Sequence, residues 1–213
     1  MNTASASTPP MIPDDGLIVF DFDGTITTKD TFALFLRYYA GPLKWALKIV
    51  ALLPIFIAYK LRLIDRHTVK AAVIKRFFKN ESQSKVEAKA KVFADSIIPP
   101  LVRPKAQSCF DDKKQNLESL YICSASIAPY LKHWAKSQGL PESHVLAVEL
   151  QNSGDTLTGS IEGYNVWGAN KVRRIYDAFH SDNVQIKEAY GDTRGDKELL
   201  NAAEVSFYKP FRL

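Results

Sequence analysis

Leu17-Ile18-Val19-Phe20-Asp21-Phe22-Asp23-Gly24-Thr25 is the stretch whose reading decides the fold. Its first four residues are apolar and partly β-branched, as expected of a parallel strand buried on both faces. They run straight into two aspartates, and Gly24 permits a sharp turn behind them. Asp21 and Asp23 therefore stand at the carboxyl end of a strand, where open α/β sheets bind their ligands.

Downstream the texture changes. From Thr31 to about Phe110 it is helical. Phe32, Phe35, Leu36 and Tyr39 fall at helical spacing, and Lys70 to Phe78 and Ser84 to Ile97 give two further helices, the second capped by Ser82 or Ser84. Pro99, Pro100 and Pro104 mark the exit. Strands and helices then alternate: a strand at Leu120–Cys123, a helix at Pro129–Gln138, and a hairpin of Val145–Leu150 with Leu157–Glu162 around Asn152-Ser153-Gly154-Asp155. A helix at Asn170–Phe179, a strand at Gln185–Tyr190, a helix at Lys197–Ala203 and a strand at Val205–Tyr208 complete the series. The expected fold class is α/β, a Rossmann-like parallel-sheet core with an all-α cap inserted after the first strand. The expected domains are a core of residues 15–29 and 112–213, a cap of 30–111 and a disordered N-terminus of 1–14.

The 213 residues suffice for such a core and cap, and 46% apolar with 24% charged residues is ordinary for a folded protein. The N-terminal Ser, Thr, Ala and Pro residues lack the basic start and apolar stretch of a secretory signal. Cys109 and Cys123 form no metal-ligand spacing, the four histidines are scattered, and neither a zinc site nor an oxidising compartment is implied. The net charge of +5 conceals an asymmetry, since Asp30–Phe110 holds 15 Lys and Arg against 5 Asp and Glu. A segment this basic attracts phosphates or an anionic membrane. No aromatic stacking platform or basic recognition helix points to nucleic acid. Within this segment Ile49–Tyr59 is uncharged. It is too short for a confident spanning helix, and Pro54 is expected to kink or split it. Two readings stay open: a cap helix packed on its neighbours, or a helix or hairpin dipping into the membrane surface with Lys44, Lys48, Lys60, Arg62 and Arg66 on head groups.

Four features recur at strand ends and helix starts: Asp21 to Thr25, Ser124, Lys171, and Asp192 with Asp196. Singly each is common; together they converge on one rim of one sheet. Their chemistry fits phosphoryl transfer. A hard site of carboxylates without His or Cys suits Mg²⁺, with Asp21, Asp23, Asp192 and Asp196 as the candidate metal residues. Asp21 is the candidate nucleophile and Asp23 the candidate general acid and base. Thr25, Ser124 and Lys171 are the candidate contacts for the phosphoryl oxygens. Arg37 and Arg62 are the candidate contacts for the leaving group, by charge and place.

These motifs resemble those of the haloacid dehalogenase superfamily. Its Asp-x-Asp-Gly-Thr motif stands at Asp21–Thr25, its strand-end Ser at Ser124, its Lys at Lys171, and its acidic motif in Gly191-Asp192-Thr193-Arg194-Gly195-Asp196. The hairpin before Lys171 is similar to that of the phosphoserine phosphatase branch (subfamily IB). The resemblance implies a phosphatase, because dehalogenases and ion-pumping ATPases of the superfamily lack the second Asp. Phe35-Leu36-Arg37-Tyr38-Tyr39 with the apolar run resembles the subfamily that contains the bacterial class C phosphatidylglycerophosphate phosphatase. That resemblance implies a phospholipid phosphate as substrate and an enzyme that is cytoplasmic, peripheral on the inner membrane or inserted in it. The rival readings are a soluble phosphatase for a small phosphomonoester such as phosphoserine, and a phosphomutase.

Overall fold

The computed structural model describes residues 10–212; most of the expected disordered N-terminus lies outside them. Strand β1 (Leu17–Phe20) is wholly buried at the centre of a six-stranded sheet. On one side it pairs in parallel with β2 (Leu120–Ile127), and β2 with β3 (Val145–Ser153). On the other it pairs in parallel with β5 (Ile186–Gly191), and β5 with β6 (Ala203–Tyr208). Strand β4 (Thr156–Glu162) closes one edge as the antiparallel arm of a hairpin with β3. The sheet order is β4-β3-β2-β1-β5-β6. The register sets the site: Phe20 pairs with Ile122 and with Tyr190, so Asp21 leaves the sheet between β2 and β5. The Phe20 ring stacks on Tyr190, with centroids 4.1 Å apart, and meets the edge of Phe110.

The cap follows as α1 (Thr31–Ala40), α2 (Pro42–Val50), α3 (Leu53–Lys60), α4 (Arg66–Phe78) and α5 (Gln83–Ser96). Side chains fix three of its helix starts: Asp30 accepts from the Ala33 N–H, Asp65 from Thr68 and Ser82 from Lys85. The Asp65 cap starts α4 four residues before the apolar spacing reveals it. Phe35 joins cap to core, packing on Phe78 and Phe93 of the cap and on Tyr130 of α7 (Ala128–Ser137). The hairpin tip clasps the turn between α4 and α5. Asp155 accepts from the Ser84 N–H at 2.8 Å and from the Ser82 hydroxyl at 2.8 Å, while Asn80 and Leu157 exchange main-chain bonds with the opposing segment. Gly159 is required there, since a Cβ would stand 2.6 Å from the Lys79 Cβ.

Between the prolines and β2 runs α6 (Pro104–Lys113), which the apolar pattern does not foreshadow. Its buried residues are Ala106 and Phe110, and the Phe110 ring packs on Phe20 and Trp134. Helices α8 (Ala169–Phe179) and α9 (Lys197–Ala202) complete the core. The apolar stretch around Pro54 is split, with α2 and α3 meeting at 52°. Pro54 sits in the first turn of α3, where its missing N–H costs nothing, so the break falls ahead of it. Among the described residues no single helix is long and apolar enough to cross a membrane, though this bent pair passes by length and composition.

Candidate active site

The turn after β1 brings Asp21 close to Asp192, which follows β5. Gly24 adopts φ +84°, and a Cβ there would lie 2.4 Å from an Asp192 oxygen, so only glycine lets the two segments approach. Asp21 is buried, and the Lys171 ammonium grips it at 2.6 Å. The same ammonium donates to Asp196 at 2.6 Å and to the Cys123 carbonyl at 2.8 Å. Its three protons thus meet three acceptors, as a buried lysine needs. Burial alone would lower the Lys171 pKa, but Asp21 and Asp196 overcome it and hold the ammonium charged. Burial pushes the Asp21 carboxyl up to about 7, with Asp196 and Asp23 adding to the rise against the pull of Lys171.

Asp192 is raised by burial and by Asp196, while Arg212 and Thr25 oppose the rise. Burial also works on Asp196, but Lys171 and the N–H groups of Thr193 and Asp192 outweigh it and hold the carboxyl below its ordinary value. Both Asp196 oxygens are engaged, one by Lys171 and the other by Asp192 and Thr193. Asp21, Asp192 and Asp196 each present an oxygen within 4.8 Å of the others'. This buried acidic trio has Lys171 as its internal cation and Arg212 reaching Asp192 from the surface. Excess negative charge on hard oxygen donors suits Mg²⁺.

Two expected assignments are changed by the geometry. The Asp23 carboxylate does not join the trio. It accepts from the Thr31 N–H at 2.7 Å, from the Thr31 hydroxyl at 2.6 Å and from Ser126, which hold it elsewhere on the cavity wall. Burial, then the nearby Asp30, raise its pKa to about 6 against those hydrogen bonds. Thr25 is buried with its hydroxyl directed at Asp21 (3.0 Å) and Asp192 (3.4 Å), so it braces carboxylates instead of facing the cavity. Ser124 does line the cavity; it accepts from the Ser126 N–H at 3.1 Å, leaving its own proton to donate.

Asp21, Asp23, Ser124 and Lys171 share a cavity of about 520 Å³ between core and cap. Its cap wall carries Arg66 and Lys70 of α4, with Phe56 and Tyr59 of α3. Arg37 and Arg62 are not there: Arg37 lies over Trp45, and Arg62 is exposed in the turn after α3. Lys70 sits over the Phe32 ring, and burial lowers it to about 7 against the pull of Asp30 and Asp23. Arg66 lies over Trp167 of the core, and the buried core residue Asn165, which also lines the cavity, has a side-chain oxygen with no partner. These cap residues show no motif in the sequence; only their place one turn apart on α4 groups Arg66 with Lys70. Ser126, two residues beyond Ser124, was open to inference from strand alternation.

Comparison with known proteins shows the family and the fold. The haloacid dehalogenase-like hydrolase family model matches residues 18–201. Protein CicA of Caulobacter vibrioides is 34% identical over 203 residues, which is 92% of this chain and 86% of that one. Among solved structures, a protein of unknown function from Bordetella pertussis Tohama I superposes with a TM-score of 0.75 at 17% identity, over 89% of this chain and 87% of that one. A phosphoserine phosphohydrolase-like protein from Francisella tularensis gives 0.56 at 20% identity, over 87% and 82%. At such identities these two structures establish the shared fold. From the extent of the family match and the identity to CicA, the chain belongs to the haloacid dehalogenase-like hydrolases.

Proposed function

We propose that this protein is a magnesium-dependent phosphomonoester hydrolase working through an aspartyl-phosphate on Asp21. The observation that carries the reading is the separation of two nearby carboxylates into different environments. Asp21 is gripped by a buried ammonium within an acidic trio, whereas Asp23 stands apart with a carboxyl at about 6. Mg²⁺ held by Asp21 and Asp192, with Asp196 as a further ligand or as the group that positions them, would supply positive charge against the carboxylates and the phosphate. An Asp21 oxygen attacks phosphorus, the bond to the ester oxygen breaks, and Asp23 gives that oxygen its proton. Water then attacks the phosphorus while Asp23 takes a proton back, which releases inorganic phosphate and restores Asp21. Lys171 fixes Asp21 and offsets charge as it builds, and the Ser124 proton is free to meet a phosphoryl oxygen.

For the substrate we take a phospholipid phosphate such as phosphatidylglycerophosphate. The support is the basic, apolar cap segment whose Phe56 and Tyr59 line the cavity. A soluble phosphomonoester of the phosphoserine kind is the alternative, favoured by Arg66 and Lys70, which match a small anionic leaving group. The test is phosphate release with Mg²⁺ from the lipid in mixed micelles beside soluble esters, with Asp21→Asn as control. Release from the lipid alone supports the first substrate and release from a soluble ester the second. No release from either, or release that survives Asp21→Asn, refutes the hydrolase mechanism.

A further inference from the structure

The catalytic cavity uses one side of α3 and leaves the outside of α2 and α3 unexplained. Neither helix contains a buried residue; Leu52, in the bend between them, is buried and pins the pair. Leu43, Leu47 and Val50 recur at helical spacing along α2 and are 61–74% exposed. Leu53 and Ile57 make the same stripe on α3, and Leu61 and Leu63 extend it into the following turn. Of the thirteen large apolar side chains most exposed among the described residues, eight lie between Leu43 and Leu63. Single exposed leucines are ordinary, but such a concentration marks a surface that something covers.

The charges say what covers it. Residues 31–64 hold five Lys and Arg and no Asp or Glu. Arg37, Lys44, Lys60 and Arg62 are exposed around the apolar stripes. A second copy of the chain would bring the same positive charges against these, whereas an anionic lipid surface meets both the apolar stripes and the basic flanks. α2 and α3, of 9 and 8 residues, are bent by 52° at Leu52 and form no continuous helix of the roughly 20 residues that span a bilayer, and a bent pair with apolar stripes and basic flanks suits its interface plane. Tyr59 is both exposed and part of the cavity wall, so the surface that docks borders the entrance to Asp21 and Asp23.

We infer that the α2–α3 pair docks on an anionic bilayer surface and holds the catalytic cavity at the level of the lipid head groups. The inference rests on the phosphomonoesterase reading for its purpose, and its physics is independent of turnover. The test uses full-length Asp21→Asn protein, so that binding is read without hydrolysis. The protein is floated with vesicles of phosphatidylcholine and phosphatidylglycerol in equal parts, and with vesicles of phosphatidylcholine alone. Strong flotation with the anionic vesicles is expected, weakened by salt and by about tenfold or more on the neutral ones. Leu47→Ser, Leu53→Ser and Ile57→Ser together are expected to reduce it by at least about tenfold at an unchanged melting temperature. Lys44→Glu with Arg62→Glu provides an independent variant should the triple one not fold, and is expected to abolish the preference for anionic vesicles. Absent flotation, or flotation unchanged in the variants, overturns the docking whatever the hydrolysis assays give. A dimer in solution that the triple variant dissociates, without vesicle binding, overturns it in favour of a second copy.

Discussion

A single residue, Phe22, separates Asp21 from Asp23, and the turn at Gly24 sends their carboxylates to different company. The sequence displays the pair but not this division, because Thr31 and Ser126, which hold Asp23, come from the first cap helix and from the end of β2. The consequence is a pH dependence with a definite sign. Asp23 has its carboxyl raised from 3.8 to about 6, so the folded chain holds that proton more tightly than the unfolded one. The stabilisation is complete below the unfolded value and is lost as pH rises through 6. Above that, the buried ionised carboxylate costs about 3 kcal/mol relative to its neutral form. Asparagine keeps the shape and cannot ionise. In metal-free protein, Asp23→Asn is expected to be more stable than the parent at pH 8, with the gain shrinking towards pH 4; assayed with Mg²⁺, the same variant is expected to release phosphate about a hundredfold more slowly or worse. Denaturant melts in chelator across that range decide it; a difference independent of pH would show that Asp23 is not held neutral by burial.

The cap meets the core in two places that the sequence marks unequally. Asn152-Ser153-Gly154-Asp155 announces a hairpin, and the hairpin forms, but its service to the cap is three-dimensional. Asp155 takes the Ser84 N–H and the Ser82 hydroxyl, and the tip pairs with the α4–α5 turn much as another strand would. Nothing in local pattern links residues seventy positions apart. Helix α6 has no bounds legible in the sequence for a similar reason: with two buried residues in ten it has hardly any apolar period, and its place is fixed by the rings of Phe20 and Trp134. The split of the apolar stretch, by contrast, was legible from Pro54 alone. If the clasp matters to cap closure, Asp155→Ala should loosen it without unfolding the core. Faster amide exchange at residues 80–84 is expected, with exchange in β1 and β5 unchanged. Equal protection in parent and variant would mean that the main-chain bonds suffice without the carboxylate.

Across the whole molecule the meeting of the motif residues was readable because each motif ends a strand or starts a helix, and parallel pairing then gathers those ends on one rim. The acidic trio draws its members from positions 21, 192 and 196, and one buried lysine ties two of them together. The cavity's cations were not readable, since Arg66 and Lys70 stand in a segment where basic residues are common and only folding selects which face inward. The trio has a consequence for the whole fold. Its excess negative charge is buried in the native chain and dispersed into solvent in the unfolded one, so a divalent cation binds the folded state preferentially. At a free Mg²⁺ concentration of about a hundred times its dissociation constant, binding adds about 2.7 kcal/mol, or roughly 5–10 °C in melting temperature for a chain of this length. Thermal melts in chelator and then in excess Mg²⁺ are expected to show that rise, and chelator to reverse it. Asp192→Asn removes one of the trio's carboxylates and should abolish most of the shift while leaving the chelator melt close to the parent's. A shift of the same size in that variant would place the ion elsewhere, and no shift in the parent would leave the trio held by Lys171 and Arg212 without a metal.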